Sequence, residues 1–123
     1  MEIAEIKKRV GGLLNEKRLR HTESVAALAM ELSRGIGEDP QRAEIAAWLH
    51  DCAKYMTIEE QIAFAAEKEI ALTEDDLRSK GVIHSRIGVW LAINEYGVRD
   101  AEILSAVLNH STGRAGMSRF SKL

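Results

Sequence analysis

Apolar residues recur along this chain at helical spacing, and no segment alternates convincingly with period two. Ile3, Ile6, Val10, Leu13 and Leu14 mark a first amphipathic helix ending near Gly11-Gly12 or shortly after. Val25, Leu28, Ala29 and Leu32 follow the i, i+3, i+4, i+7 pattern, predicting a second helix that buries that stripe and stops in the Gly35–Gly37 turn. Asp39-Pro40 places an N-cap before a proline at the first position of a third helix, whose stripe is Ile45, Trp48, Leu49 and Cys52. Thr57 with Glu60 reads as a capping box opening a fourth helix through Ile62, Ala65 and Ala66. Thr73 with Asp76 suggests a shorter fifth. Ile83, Ile87, Trp90 and Leu91 stripe a sixth that ends at Gly97, and Asp100 caps a seventh carrying Ile103, Leu104, Val107 and Leu108. The expected fold is all-α.

Composition narrows the picture. A chain of 123 residues and 13.7 kDa suits one compact domain. Aromatics make up only 5%, so Leu, Ile, Val and Ala must do most of the packing. A formal net charge of -2 leaves no basic excess for a nucleic-acid backbone, so no nucleic acid is expected as partner. The single cysteine, Cys52, cannot form an internal disulfide, which fits a reducing cytosol. The N-terminus is charged and amphipathic, unlike a signal peptide, and no apolar run nears the ~18 residues of a membrane span. The expectation is a cytoplasmic protein with no membrane partner.

The chemistry lies in the histidines. All four, His21, His50, His84 and His110, fall near the ends of predicted helices, and Asp51 follows His50 directly. Any one of them alone reads equally as a cap or a dipole-compensating cation. On a regular helix, His50 and Asp51 diverge by about 100°, so they meet on one ion only if the helix end tilts both into a common cavity. Asp51 stands in an apolar neighbourhood where an unpaired carboxylate is costly. Imidazole with carboxylate is a ligand set for iron, manganese or zinc.

Four segments carry a family resemblance. Ala46-Ala47-Trp48-Leu49-His50-Asp51-Cys52-Ala53-Lys54 resembles the LHDxxK signature of the HD superfamily of metal-dependent phosphohydrolases. Arg20-His21-Thr22-Glu23-Ser24-Val25 is similar to its upstream RxxHT…V histidine. Ile83-His84-Ser85-Arg86-Ile87-Gly88 and the loop Asn109–Ser118 resemble the bacterial YqeK family, the symmetrical bis(5'-nucleosyl)-tetraphosphatases.

The resemblance implies a helical bundle of the HD type and hydrolysis of diadenosine tetraphosphate to two ADP by water activated between two metal ions. Iron is the implied metal, with manganese, cobalt or zinc served by the same ligands. His21, His50 and Asp51 would hold one ion, and His84 and His110 the second, with Asp51 bridging. Asp51 and Lys54 are the catalytic candidates. Lys54, four residues after His50 and expected one helical turn along the same face, would contact a phosphate oxygen or the metal-bound water, and reads equally as a solvated surface lysine; Thr112, Gly113 and Arg114 would bind the phosphates. Trp48, Trp90 and Cys52 read as core residues, and Arg86 as either a site residue or a surface one.

The family's last ligand is an aspartate from a helix beyond the His110–Ser118 loop, yet no aspartate follows Asp100. Residues 1–123 are therefore expected to form a single HD domain lacking the family's C-terminal helices. Apolar faces left uncovered predict a homodimer. Two alternatives stay open: a generic HD phosphohydrolase acting on nucleotide monoesters, and a catalytically impaired fragment serving as a helical assembly module.

Overall fold

A computed structural model of the chain describes residues 1–109. Among these, seven helices follow one another: α1 (Ile3–Leu13), α2 (Glu16–Gly35), α3 (Pro40–His50), α4 (Ile58–Glu67), α5 (Glu74–Leu77), α6 (Lys80–Asn94) and α7 (Ala101–Asn109). No strand forms among the described residues.

Local signals set most boundaries. Asp39 accepts a hydrogen bond from the Gln41 amide at 2.9 Å, with Pro40 in the first turn of α3. Both capping boxes form: the Thr57 amide donates to Glu60 Oε1 at 2.9 Å, and the Thr73 amide to Asp76 Oδ2 at 2.9 Å. α2 ends in a Schellman turn. Gly37 adopts a φ of 77°, open to glycine at little cost, and the Glu38 amide reaches back to Ser33 O at 2.8 Å. α6 stops at Asn94, ahead of the expected Gly97.

α3 lies at the centre of the bundle, packed against α1, α2, α6 and α7. Its Ala43, Ala47, Trp48 and Leu49 meet Ile6 and Val10 of α1, Ile83, Ile87 and Leu91 of α6, and Ile103 and Val107 of α7 in one core. Trp48 is a core residue as expected, while Trp90 is half-buried, set edge-on to Phe64 with ring centroids 5.4 Å apart.

Half of the stripe expected for α2 turns outward: Ala29 is buried and Val25 packs partly buried against the core, but the two leucines do not. Leu28 and Leu32 are 56% and 45% exposed, and the buried residues are Thr22, Ala26, Ala29 and Ser33. Small side chains let α2 approach α3 closely, so the tighter face wins over the more apolar one. In α4, likewise, Ile62 and Ala66 are exposed while Gln61 and Ala65 are buried. Gln61 tolerates burial because its amide donates to Met56 O at 3.0 Å.

Asp100 does two jobs at the α3–α7 junction. It caps α7, accepting from the Glu102 amide at 2.9 Å, and takes a fork of hydrogen bonds from Arg42 at 2.8 and 2.9 Å. The Arg42 hydrogen bond holds its carboxyl below the usual range against a smaller opposing effect of burial. Asp100→Ala is expected to cost about 1–2 kcal/mol, a lost cap plus a partly exposed ion pair, read as a lower denaturant midpoint. A group with a depressed folded pKa adds stability above its unfolded value of about 3.9 and loses it as pH falls through the folded one. The gap between wild type and variant should therefore be constant at neutral pH and close in acid.

Candidate metal centre

α3 ends at His50, and that termination builds the site. Asp51 leaves the helix with φ −116° and ψ 18°, so its carboxylate swings toward the imidazole that a continuing helix would turn away from it. His50 Nε2 stands 3.3 Å from Asp51 Oδ2. The Lys54 amide donates to Asp51 O at 2.9 Å, curling the chain so that Lys54 Nζ comes 3.6 Å from Asp51 Oδ1. Lys54 thus reaches the site through a turn, not along a helical face as the sequence suggested.

His84 arrives from α6, in its second turn. Gly88, one turn further along α6, packs against the end of α3. A Cβ there would meet Val107 Cγ1 at 3.4 Å, Leu49 O at 3.7 Å and Cys52 Sγ at 3.8 Å. These are ordinary contact distances that leave little room for a larger side chain, and with α6 seated there His84 Nε2 reaches Asp51 Oδ1 at 3.5 Å. The two oxygens of Asp51 therefore face two imidazoles from different helices. His21, near the start of α2, completes the group at the exposed side, its ring centroid 6.0 Å from that of His50. Ligand atoms of His21, His50 and Asp51 all lie within 4.8 Å of one another.

Tautomers decide whether a cation fits. The Nδ1 of His50 faces the carbonyl of Ala47, and that of His84 faces the Lys80 carbonyl at 3.2 Å. A carbonyl can only accept, so each Nδ1 carries a proton, and each Nε2 points at an Asp51 oxygen, donating a proton when it carries one and offering a lone pair when it does not. Lone pair against anionic oxygen repels unless a proton or cation stands between. Two ligands bound at about 2.1 Å to one ion stand about 3.0–3.4 Å apart, and the His50–Asp51 separation of 3.3 Å falls in that interval. The residues fit a metal ion.

Asp51 is 3% exposed. Burial pushes its carboxyl up, but hydrogen bonds with His50 and His84, and the charges of His50 and Lys54, outweigh that and hold it far below the usual range. It is a carboxylate at any pH near neutral. Its neighbour Cys52 has its thiol pushed up to about 12, by burial first and then by the Asp51 charge. A thiol so held is no nucleophile, in keeping with a core role.

Arg18 was not singled out from the sequence. It projects from the first turn of α2, and its Nη1 lies 3.8 Å from Asp51 Oδ2. The signal was present: Arg18 stands three residues before His21, the spacing of the arginine in the RxxHT pattern. Arg86, by contrast, forms an ion pair with Asp76 at 3.0 Å, a bridge between α6 and α5. His110, Thr112, Gly113 and Arg114 lie outside the described residues.

A helical bundle converging imidazoles and one buried carboxylate on a point that suits a cation defines a metal-centred helical domain. The chain belongs to the HD domain family, whose model matches residues 18–121. It is 35% identical over 112 residues to the symmetrical bis(5'-nucleosyl)-tetraphosphatase of Halalkalibacterium halodurans, covering 89% of this chain and 58% of that one. The protein of the same name from Bacillus subtilis is 36% identical over 110 residues, covering 89% and 59%. That from Staphylococcus aureus is 32% identical over 125 residues, covering 100% and 63%. The chain thus spans about three fifths of the length of these curated relatives. A crystal structure of an HD superfamily hydrolase from Clostridium acetobutylicum, described as involved in NAD metabolism, superposes with a TM-score of 0.88. It is 31% identical, and the match covers 98% of this chain and 64% of that one. Among the described residues, no helix is long and apolar enough to cross a membrane.

Proposed function

We propose that this chain is the hydrolase domain of a symmetrical dinucleoside tetraphosphatase, cleaving diadenosine tetraphosphate into two ADP. The observation that carries the reading is the buried carboxylate of Asp51, each of whose oxygens faces an imidazole Nε2 from a different helix. Its specificity for a dinucleoside polyphosphate comes from the names of the relatives in Halalkalibacterium, Bacillus and Staphylococcus. Residues 1–123 are read as a single HD domain.

His21, His50 and Asp51 would hold one ion. Asp51 would share a second with His84 and with His110, which lies outside the described residues. Iron is the first candidate, with manganese, cobalt or zinc compatible with the same donors. When bound, such ions lower the pKa of a water and polarise phosphoryl oxygens. The chain's own residues then have distinct tasks. Asp51 keeps the two sets of imidazoles in register. The Nδ1–H groups of His50 and His84 stay on backbone carbonyls, which fixes both rings. Arg18 and Lys54 neutralise the polyphosphate, turning from Asp51 to phosphate oxygens as the substrate enters. Thr112, Gly113 and Arg114 are assigned to the same substrate. Water oxygen bonds to a central phosphorus, the bridging P–O bond breaks, and the departing ADP keeps the electron pair.

Arg18→Ala is expected to raise KM for diadenosine tetraphosphate about tenfold or more, with a smaller effect on kcat, the loss of one charge-assisted contact. Metal content unchanged by the substitution would distinguish phosphate binding from support of Asp51. The activity itself is tested by incubating metal-loaded chain with diadenosine tetraphosphate and resolving the nucleotides. Two ADP per substrate is the expected result. ATP with AMP, or intact substrate despite confirmed metal, refutes it.

One observation favours a second reading. Among the described residues, the set of ligand atoms within 4.8 Å is His21, His50 and Asp51, without His84. That set suits a single ion and a nucleotide monoesterase. Release of inorganic phosphate from AMP, exceeding ADP formation from diadenosine tetraphosphate, would select it.

A further inference from the structure

A cleft of about 530 Å³ opens between α1, α4 and the C-terminal end of α6, and none of the residues gathered around Asp51 lines it. The chain holds only two each of Phe, Trp and Tyr, yet Tyr55, Phe64 and Tyr96 converge on this one hollow. Phe64 is held in place by Trp90, which meets it edge-on at an interplanar angle of 83°. Three of the six aromatics line this open cleft while Trp48 packs in the core away from it, so the cleft offers ring surface to whatever enters.

Tyr96 adds direction. Its side chain is in the cleft wall and only 4% exposed, and its hydroxyl makes no hydrogen bond among the described residues. The phenol oxygen is not among the fully buried unpartnered polar atoms, so it keeps access to open space at the cleft wall. Burial first, and then nearby Cys52, pushes it up to about 12, so the group is a standing donor. At the rim, Arg9 is tied to Glu5 at 3.1 Å, which leaves Lys8 and Glu95 as a second donor and an acceptor without ion-pair partners among the described residues.

We propose that this cleft is a binding site, separate from the metal centre, for a planar heteroaromatic molecule of nucleoside size. Its ring packs among Tyr55, Phe64 and Leu91, an acceptor on its edge takes the Tyr96 hydroxyl, and a donor meets Glu95. The volume lies in the range of sites that enclose small organic ligands.

Adenosine is the probe, since it carries the flat donor–acceptor ring without the phosphates that Arg18, Lys54 and a metal would attract. Its binding to the chain would be followed by calorimetric titration, alongside Gly12→Leu, Tyr96→Phe and His50→Ala. Gly12 lines the cleft, and a Cβ there meets nothing within 4 Å, so leucine fills the hollow without a clash at its root. Replacing a glycine inside α1 by a helix former should also leave thermal stability undiminished, which a melting curve checks. Binding is expected to be equal in wild type and His50→Ala, about threefold to tenfold weaker in Tyr96→Phe, the size of one neutral hydrogen bond, and absent in Gly12→Leu. Failure of wild type to bind, binding undiminished in Gly12→Leu and Tyr96→Phe, or loss in His50→Ala overturns the proposal. The last outcome would place adenosine at the metal centre and leave the tetraphosphatase reading untouched.

Discussion

Replacing Asp51 by asparagine is expected to strip the chain of metal and lower diadenosine tetraphosphate hydrolysis by about 10³-fold or more, at or beyond the upper range for a single group acting on developing charge. The substitution keeps the shape of the side chain but removes its charge, and an amide is a poor match for the cations that imidazole and carboxylate select. Both imidazoles lose the anion between them: His50 Nε2 stands 3.3 Å and His84 Nε2 3.5 Å from Asp51. Arg18 and Lys54 lose it as well. A readout besides activity follows from linkage. A ligand at about 100 times its Kd stabilises the folded state by about 2.7 kcal/mol, so added metal should raise the melting temperature of wild type and not that of Asp51→Asn. An equal rise in both would place the ion elsewhere.

His84→Ala should have the next largest effect, and it separates the two readings of the site. The substitution leaves His21, His50 and Asp51 in place and removes the group facing Asp51 Oδ1. With two ions, metal content is expected to fall from two to one per chain, and hydrolysis of diadenosine tetraphosphate by at least about 100-fold, the upper range seen when only the support of a ligand is removed. With one ion, metal content and monoester hydrolysis would persist in the variant. Gly88 gives a geometric control. Gly88→Val adds methyl groups beyond a Cβ already 3.4 Å from Val107 Cγ1, pushing α6 outward and carrying His84 from Asp51 without changing any ligand.

The parts of the fold that were legible in the sequence are those fixed by neighbours in the chain. The caps at Asp39, Thr57, Thr73 and Asp100 depend on an amide two or three residues away, and each forms. The buried face of α2 depends on its partner instead. Periodicity marks Val25, Leu28, Ala29 and Leu32 as a stripe, yet α3 accepts the small face of Thr22, Ala26, Ala29 and Ser33, which shares only Ala29 with it. Nothing local to α2 distinguishes the two faces.

The same division runs through the site. His21, His50 and Asp51 were marked by short motifs, and the structure brings them together. The obstacle seen in the sequence, adjacent residues diverging on a helix, disappears because α3 ends at His50. Arg18 was passed over because its contact with Asp51 joins residues 33 positions apart, and helix stripes say nothing of such pairs. Arg86 was a candidate until the α5–α6 packing placed Asp76 beside it.

The central claim is that His21, His50 and Asp51 close on a cation. Anomalous diffraction from crystals of the chain grown with manganese tests it most directly. The account predicts a peak about 2.1 Å from His50 Nε2 and Asp51 Oδ2, with His21 completing the set. A map with manganese bound elsewhere, or with no peak between His50 and Asp51 at saturating metal, contradicts it.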